Sequence, residues 1–155
     1  MTGTQRHPTA AELRFLQEAR VGRLATVDAH GRPSVVPCCF AVVAEATAPV
    51  LVSVLDNKPK RVGDQELARV RHIRTHPDVA LVVDHYEEDW TRLAFVLIRG
   101  RARILAPAEA GHAEALAALR TKYPQYRAMA LEDRLVVRIE ALRAFSWRAD
   151  GAAFS

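Results

Sequence analysis

The run VGRLATVDAHGRPSVVPCCF at residues 21–40 decides how the fold begins. Its first eight residues are rich in β-formers, and the AHGR that follows has the glycine and polar residues of a turn. The stretch PSVVPCCFAVVA from residue 33 then predicts a second strand. Pro37 interrupts that strand, and because proline donates no ladder hydrogen bond it indicates an edge, a bulge or a bend there.

Helices are predicted at three places around this run. Thr9 and Glu12 have the spacing of a capping box at the start of a helix that reaches residue 20. Apolar residues at helical spacing predict a second helix over 64–76, which Pro77 ends. An alanine-rich stretch at 106–124 predicts the third helix.

The remaining apolar runs predict four more strands. Residues 79–86 form a nearly continuous apolar run, as in a strand buried on both faces. Gly100 marks a bulge or a close approach in the long strand that follows, and we expect a kink around Ala141 in the last strand. The four runs are VLVSVL at 50–55, VALVVDHY at 79–86, LAFVLIRGRARIL at 93–105 and RLVVRIEALRAFSWRA at 134–149.

This order of elements predicts a mainly β, α+β fold. Most strands follow one another through short turns, which does not match the strict strand–helix alternation of a doubly wound sheet. A closed or partly closed antiparallel barrel with helices outside satisfies the pattern. We expect one domain over residues 1–155, since 155 residues with 50% hydrophobic content form one ordinary core.

Composition narrows the location and the partners. No apolar run has the length of a membrane span, and the N-terminus lacks the apolar centre of a secretion signal, so we expect a cytoplasmic protein without a membrane partner. The net charge of +4 permits an anionic partner. No zinc-finger, basic-zipper or RNA-recognition signature is present, so we expect no nucleic-acid partner.

Several common chemistries have no motif in the sequence. It contains neither G-x-G-x-x-G, nor a phosphate loop, nor G-x-S-x-G. His72 and His76 have the spacing of two zinc ligands, but Arg71 and Arg74 flank the pair and would repel a cation, so we predict no metal site. His85 has two open interpretations, a general acid or a histidine satisfied by its neighbours.

The adjacent cysteines Cys38 and Cys39 supply neither a disulfide framework nor a cysteine zinc site. As strand neighbours, they are expected to point to opposite faces of the sheet.

Two stretches are candidates for binding. DNKPKR at 56–61 places Lys58, Lys60 and Arg61 just before a helix, where backbone amides and cations attract an anion. A solvated cationic turn would show the same run of charges. In the polar turn after residue 85, Trp90 packs on a partner chain, covers a flat ligand, or folds back on its own core.

These stretches, with the later GRARI, resemble the pyridoxamine 5′-phosphate oxidase-like split β-barrel family. The pattern DNKPKR…HPDVALVVDHYEEDW is most similar to the branch of oxidoreductases that depend on coenzyme F420, a deazaflavin. The resemblance extends from about Glu12 to Trp147. It implies a six-stranded split antiparallel β-barrel with flanking helices, of the type that binds FMN or F420.

The resemblance also implies a homodimer with cofactor sites between the subunits. The anionic tail of F420 would bind Ser53, Lys58, Lys60 and Arg61, with Arg71 as a further candidate. The flat ring would lie along Val36, Pro37 and Cys38, and Trp90 of the other subunit would close the groove. Cys38 and Cys39 stand where many members have a hydroxyl or an asparagine.

The function that follows is hydride transfer from reduced F420 to a small conjugated or aromatic acceptor, a small-molecule substrate. No catalytic side chain is identified, since the cofactor carries the hydride chemistry. FMN in the same groove is the second possible cofactor. A non-catalytic F420- or flavin-binding protein and a small nucleic-acid-binding barrel are two further hypotheses that fit the same residues.

Overall fold

The computed structural model describes residues 6–45, 48–56 and 64–154, and for 64–67 it describes only the backbone. Within these ranges, a single antiparallel sheet of seven strands is accompanied by three α-helices. The helices are α1 (Ala10–Glu18), α2 (Asp64–Thr75) and α3 (His112–Lys122), with short 3-10 turns at Trp90–Arg92 and Pro124–Ala128. The strands are β1 (Gly22–Val27), β2 (Pro33–Cys38), β3 (Ala41–Val43), β4 (Val50–Val54), β5 (Asp78–His85), β6 (Ala94–Leu105) and β7 (Val136–Arg148).

The two longest strands, β6 and β7, pair along almost their full length at the centre of the sheet. The strand order is β2-β1-β5-β6-β7-β4-β3. The register shifts at Arg99/Gly100, where Leu142 on β7 has no residue opposite it. A Cβ at Gly100 would collide with the backbone oxygen of Glu140, so only glycine fits there. This confirms the predicted bulge at Gly100 and the irregularity near Ala141.

The second predicted strand is divided into β2 and β3, so the sheet has seven strands rather than the six expected. The division falls at Cys39 and Phe40. There the backbone N–H of Phe40 donates to Tyr123 Oη at 3.0 Å, and Tyr123 Oη donates to the Phe40 carbonyl at 2.9 Å. The Phe40 backbone is therefore satisfied by a side chain instead of a neighbouring strand. Because the sheet ends at β2 and β3, it is not a closed barrel.

The position of β2 at an edge of the sheet explains its proline. Pro37 lies opposite Arg23 of β1, and no strand of the described chain pairs with the other side of β2. The missing N–H of proline is tolerated on an edge strand. The edge position predicted for this strand is confirmed.

Apolar side chains form two clusters on the sheet. In the larger one, Leu16 of α1 and Ile73 of α2 pack with residues of β1, β5, β6 and β7. In the smaller one, α3 packs its buried Leu116 and Leu119 on residues of β3 and β4. Thr26 Oγ1 and His72 Nδ1 lie 3.0 Å apart, which joins α2 to β1. Among the described residues, no helix is long and apolar enough to cross a membrane.

A buried carboxylate, that of Glu12, attaches α1 to the sheet. The predicted capping box is present, because the Thr9 side chain accepts from the backbone N–H of Glu12 and the Glu12 carboxylate accepts from that of Thr9. Glu12 also accepts two hydrogen bonds of 2.7 Å from Arg6 and one of 2.6 Å from Ser146 of β7. Burial alone raises the pKa of Glu12, but these hydrogen bonds outweigh burial and lower the pKa to about 2.

Glu12→Gln is expected to destabilise the fold by about 2 kcal/mol, because charged hydrogen bonds are replaced by neutral ones in a buried site. The folded pKa of about 2 lies below the ordinary value of 4.5, so this carboxylate stabilises the fold above pH 4.5 and ceases to do so as the pH falls towards 2. Urea unfolding across this range should therefore show a smaller acid loss of stability in the variant. Glu18→Gln, at an exposed position of the same helix, is the control and should behave like the parent.

Candidate functional site

A cavity of about 230 Å³ lies where the ends of β2 and β4 meet α2. It opens beside Asp56, after which residues 57–63 connect to α2. The polar groups around it come from four separate parts of the chain, so that only the folded sheet brings them together. Its lining includes Pro37, Cys38, Cys39, Ser53, Asp56, Arg69 and Tyr126.

Ser53 is buried in the floor of this cavity, with 3% of its surface exposed. Its position in β4 is set by pairing with Val137 of β7. Ser53 Oγ donates a hydrogen bond of 2.7 Å to the Cys39 carbonyl. Because the hydroxyl proton is used there, Ser53 presents acceptor lone pairs to the cavity. In this arrangement its hydroxyl orients the backbone of Cys39.

The two neighbouring cysteines both line the same cavity. Cys38 is the last residue of β2 and Cys39 lies beyond the strand end, so the alternation expected of two strand residues does not extend to this pair. Both thiols are free. Burial raises the pKa of Cys38, and the nearby charge of Arg69 offsets only part of this effect. A neutral thiol is therefore the stable form of Cys38 at pH 7.

Arg69 supplies a cation to the cavity from α2. Its Nε is buried and has no hydrogen-bond partner among the described residues. A buried donor without a partner costs free energy, so this nitrogen is suited to an acceptor that enters the cavity.

Tyr126 lies far from Asp56 in the sequence and meets it in the same cavity. Tyr126 Oη donates to Asp56 Oδ2 across 3.4 Å. Burial and the negative charge of Asp56 both raise the pKa of Tyr126, so its hydroxyl stays protonated. The pair gives the cavity one fixed hydroxyl and one carboxylate beside the cation of Arg69.

Three residues predicted for the cofactor, Pro37, Cys38 and Ser53, line the cavity together. Val36 is not among its lining residues, because it lies opposite the buried Leu24 in the register of β1 and β2. Arg71 is exposed on α2, away from the lining that contains Arg69.

The other predicted positions lie elsewhere. Lys58, Lys60 and Arg61 fall outside the described residues. Trp90 lies in the connection from β5 to β6, where 65% of its surface is exposed. It does not fold back on the core of its own chain.

Arg69, Asp56 and Tyr126 were not predicted as site residues. The helical repeat of α2 places Val70 and Ile73 in the core, and it does not determine which neighbouring arginine faces β4. Tyr126 and Asp56 are 70 residues apart, so no local sequence pattern indicates that they meet. The position of Asp56 immediately before the cationic run could have identified it as a candidate site residue.

Two histidines that the sequence singled out have structural partners. His72 contacts Thr26, and His85 Nε2 lies 2.7 Å from Glu87 Oε2. In the ranges that the structure describes, no group of three or more histidine, cysteine, aspartate or glutamate side chains converges on a metal-sized site. The interpretation of His85 as a histidine satisfied by its neighbour agrees with its contact to Glu87.

Comparison with known families and structures gives one consistent fold. The profile of the family described as Pyridoxamine 5′-phosphate oxidase matches residues 8–148. A conserved hypothetical protein of Mycobacterium tuberculosis is similar, with 23% identity, a TM-score of 0.68, and coverage of 96% of this chain and 90% of that one. No curated protein sequence matches this chain.

Two further solved structures are described by what they bind or store. An FAD-binding protein of Mesorhizobium loti is 25% identical, with a TM-score of 0.60, and the match covers 93% of this chain and 97% of that one. HutZ, the heme storage protein of Vibrio cholerae, is 16% identical, with a TM-score of 0.59, and the match covers 87% of this chain and 89% of that one. The second similarity concerns the fold alone.

The buried Cys38 thiol gives a pH-dependent prediction. In a Cys39→Ala variant, which retains only Cys38, alkylation by iodoacetamide should rise with pH through an inflection above 9.0, the ordinary value for a thiol, because burial raises the pKa. The same variant in denaturing urea is the control and should react faster at pH 8. An inflection below 9.0 in the folded protein would show that Arg69 outweighs burial.

Proposed function

Because the chain belongs to the pyridoxamine 5′-phosphate oxidase family, we propose that it is a cytoplasmic oxidoreductase that transfers a hydride from reduced coenzyme F420 to a small conjugated or aromatic acceptor. The observation that carries this proposal is the cavity beside the end of β4, where the buried Nε of Arg69 has no partner among the described residues. The redox chemistry belongs to the cofactor when it is bound. The protein binds, orients and shields it.

The donor set of the cavity fits the anionic end of such a cofactor. Arg69 contributes one cation and an unused buried donor, while Lys58, Lys60 and Arg61 follow in sequence directly after Asp56. These four cations exceed the single negative charge of Asp56. A phosphodiester would be held by charge-assisted hydrogen bonds, and Ser53 would keep the Cys39 backbone in place beside it.

The flat ring is assigned to the exposed edge of the sheet. Pro37 and Cys38 lie where β2 has no further strand, so a planar group can approach their backbone. The neutral thiol of Cys38 offers a weakly polar contact. Val36 and Arg71 are secondary positions in this assignment, since neither lines the cavity.

The size of the cavity supports a site completed by a second copy of the chain. A volume of about 230 Å³ is smaller than the roughly 300–1,000 Å³ of sites that enclose a drug-sized ligand. F420 carries a tricyclic ring, a phosphodiester and a glutamate tail. One chain therefore encloses only part of it, and we assign the remaining cover, including Trp90, to the partner of a homodimer.

An apolar area at one end of the sheet supports this dimer. On β6 and β7, Phe95 lies opposite Trp147 and Leu97 lies opposite Phe145. The rings of Phe95 and Trp147 stack at 6.0 Å, yet 45% of Trp147 is exposed. The adjacent connection exposes Trp90. Large exposed rings gathered at one end of a sheet are typical of an association surface.

FMN is the second candidate for the same site, and the similarity to an FAD-binding protein favours it. Its phosphate would take the place of the F420 phosphodiester beside Arg69. A non-catalytic role, in which the protein binds a flavin or F420 without turnover, is the third. Steady turnover with any acceptor would exclude it.

Cofactor binding provides the main test. Titration with F420, followed by its fluorescence, should give a micromolar dissociation constant, roughly 8 kcal/mol of binding. Lys58→Ala and Arg61→Ala should each weaken binding by about 1.5–3 kcal/mol, because each removes a charged hydrogen-bonded contact. Arg14→Ala on the exposed side of α1 removes the same charge and should change little.

FMN absorbance after purification and titration with FMN provide the comparison. If the protein binds FMN more tightly than F420, and the same substitutions weaken FMN binding, F420 is rejected as the cofactor and the site assignment stands. Binding as tight as the parent's in both Lys58→Ala and Arg61→Ala would reject the site assignment itself.

Dimerisation is tested by Trp147→Glu. A carboxylate in the apolar area should shift the protein from dimer to monomer, because a charge cannot be buried there without a partner. Light scattering coupled to gel filtration measures the mass. Met129→Glu, at a position with a similar exposure of 36% but outside this area, is the control and should remain dimeric. A monomeric parent protein would contradict the proposal.

A further inference from the structure

A second concave site, separate from the cofactor cavity, lies between the C-terminal end of α2 and the strands β6 and β7. It encloses about 520 Å³. Four arginines and one glutamate contribute its charges: Arg74 from α2, Arg101 and Arg103 from β6, and Arg138 and Glu140 from β7. We call it the arginine groove.

The register of the sheet concentrates positive charge in this groove. Arg103 lies directly opposite Arg138, and Arg101 lies opposite Glu140. One step further along the same ladder, Arg99 lies opposite Arg143. Like charges in directly opposed positions destabilise a sheet. A stable fold that retains such pairs has a compensating interaction or a use for the charge.

Ion pairs within the chain neutralise only part of the positive charge in the arginine groove. Arg138 pairs with Glu45 at 2.8 Å, and Arg103 reaches Glu109 at a long 3.5 Å. Arg74 and Arg101 make no hydrogen bond or ion pair within the described part of the chain. Two guanidinium groups, one from α2 and one from β6, are therefore available to a ligand.

Apolar residues also line the groove. Ile104 is half-buried, and Ile73 and Ala102 are buried. Ala102 and Ile104 alternate with Arg101 and Arg103 along β6, so their side chains belong to the opposite face of the strand. An inorganic ion would leave most of the volume of about 520 Å³ to water, whereas an organic ligand with an anionic group would fill it.

We propose that the arginine groove binds a small organic phosphate with at least two negative charges, such as a nucleoside diphosphate. The guanidinium groups of Arg74 and Arg101 hold the phosphates through paired N–H donors, and the body of the ligand fills the rest of the groove. The volume of about 520 Å³ lies within the range of sites that enclose such a molecule.

This groove and the cofactor cavity are different sites. They share no lining residue. Arg69 and Arg74 are five residues apart on α2, which places them about 140° apart around a helix of 3.6 residues per turn. The cofactor cavity thus lies on one side of α2 and the arginine groove on another.

Isothermal titration of the whole protein with ADP tests the proposal. We expect saturable binding of one ADP per chain. Arg101→Ala and Arg74→Ala should each weaken it roughly ten- to a hundredfold, as expected for the loss of a charged hydrogen bond. Arg14→Ala, the matched control on α1, should leave affinity within about twofold, because a distant surface charge is screened by salt.

Parallel titrations separate the sources of the affinity. Inorganic pyrophosphate should bind more weakly than ADP at the same residues, which would show the contribution of the organic part of the ligand. A single-stranded oligonucleotide that binds in the groove more tightly than ADP would overturn the small-ligand proposal. Equal losses of ADP affinity in Arg101→Ala and Arg14→Ala would also overturn it, as would the absence of saturable ADP binding.

The ADP titration tests the arginine groove independently of the cofactor site. ADP binding should be unchanged in Lys58→Ala and in Arg61→Ala, whether or not these variants bind F420 or FMN. A failure of cofactor binding with intact ADP binding would therefore reject only the proposed oxidoreductase site. Loss of ADP binding in Lys58→Ala would show that the two sites are one, and would reject the groove.

Discussion

The long antiparallel pairing of β6 with β7 is the interaction on which the other parts of the structure depend. β5 pairs with β6 on one side, and β4 pairs with β7 on the other, so every other strand is attached through this ladder. The register is shifted once, at Gly100, where the backbone of Glu140 approaches too closely for any side chain. The same ladder sets arginines opposite one another in the groove, and the pairing of β4 with its strand β7 positions Ser53 in the cavity.

Arginines have two different roles in this fold, and the presence of a partner distinguishes them. Arg6 is neutralised by the buried Glu12 and attaches α1 to the sheet. Among the described residues, Arg69 Nε has no hydrogen-bond partner and Arg101 makes no ion pair. A paired cation is already neutralised within the chain, whereas an unpaired one can bind an anion, and such binding stabilises the folded state. This contrast is the physical basis of both proposed sites.

Proteins with similar folds bind or store different molecules. Structures with similar folds include an FAD-binding protein and a heme storage protein. In this chain, selection is assigned to the few polar groups beside the end of β4. The neutral Cys38 thiol, the Tyr126–Asp56 contact and the unused Arg69 donor distinguish the cavity chemically. In the proposed function, F420 and FMN would both offer a phosphate to Arg69, and the two cofactors differ in the groups attached to that phosphate.

The sequence alone determined the features that obey short-range rules: the Thr9–Glu12 capping box, the edge character of the strand with Pro37, and the bulge at Gly100. Each depends on backbone chemistry within a few residues. Only the tertiary structure decided that Tyr123 divides the second strand at Phe40 and that Arg69, rather than Arg71, faces the cavity. Those outcomes depend on contacts between residues far apart in the chain, for which local sequence carries no signal.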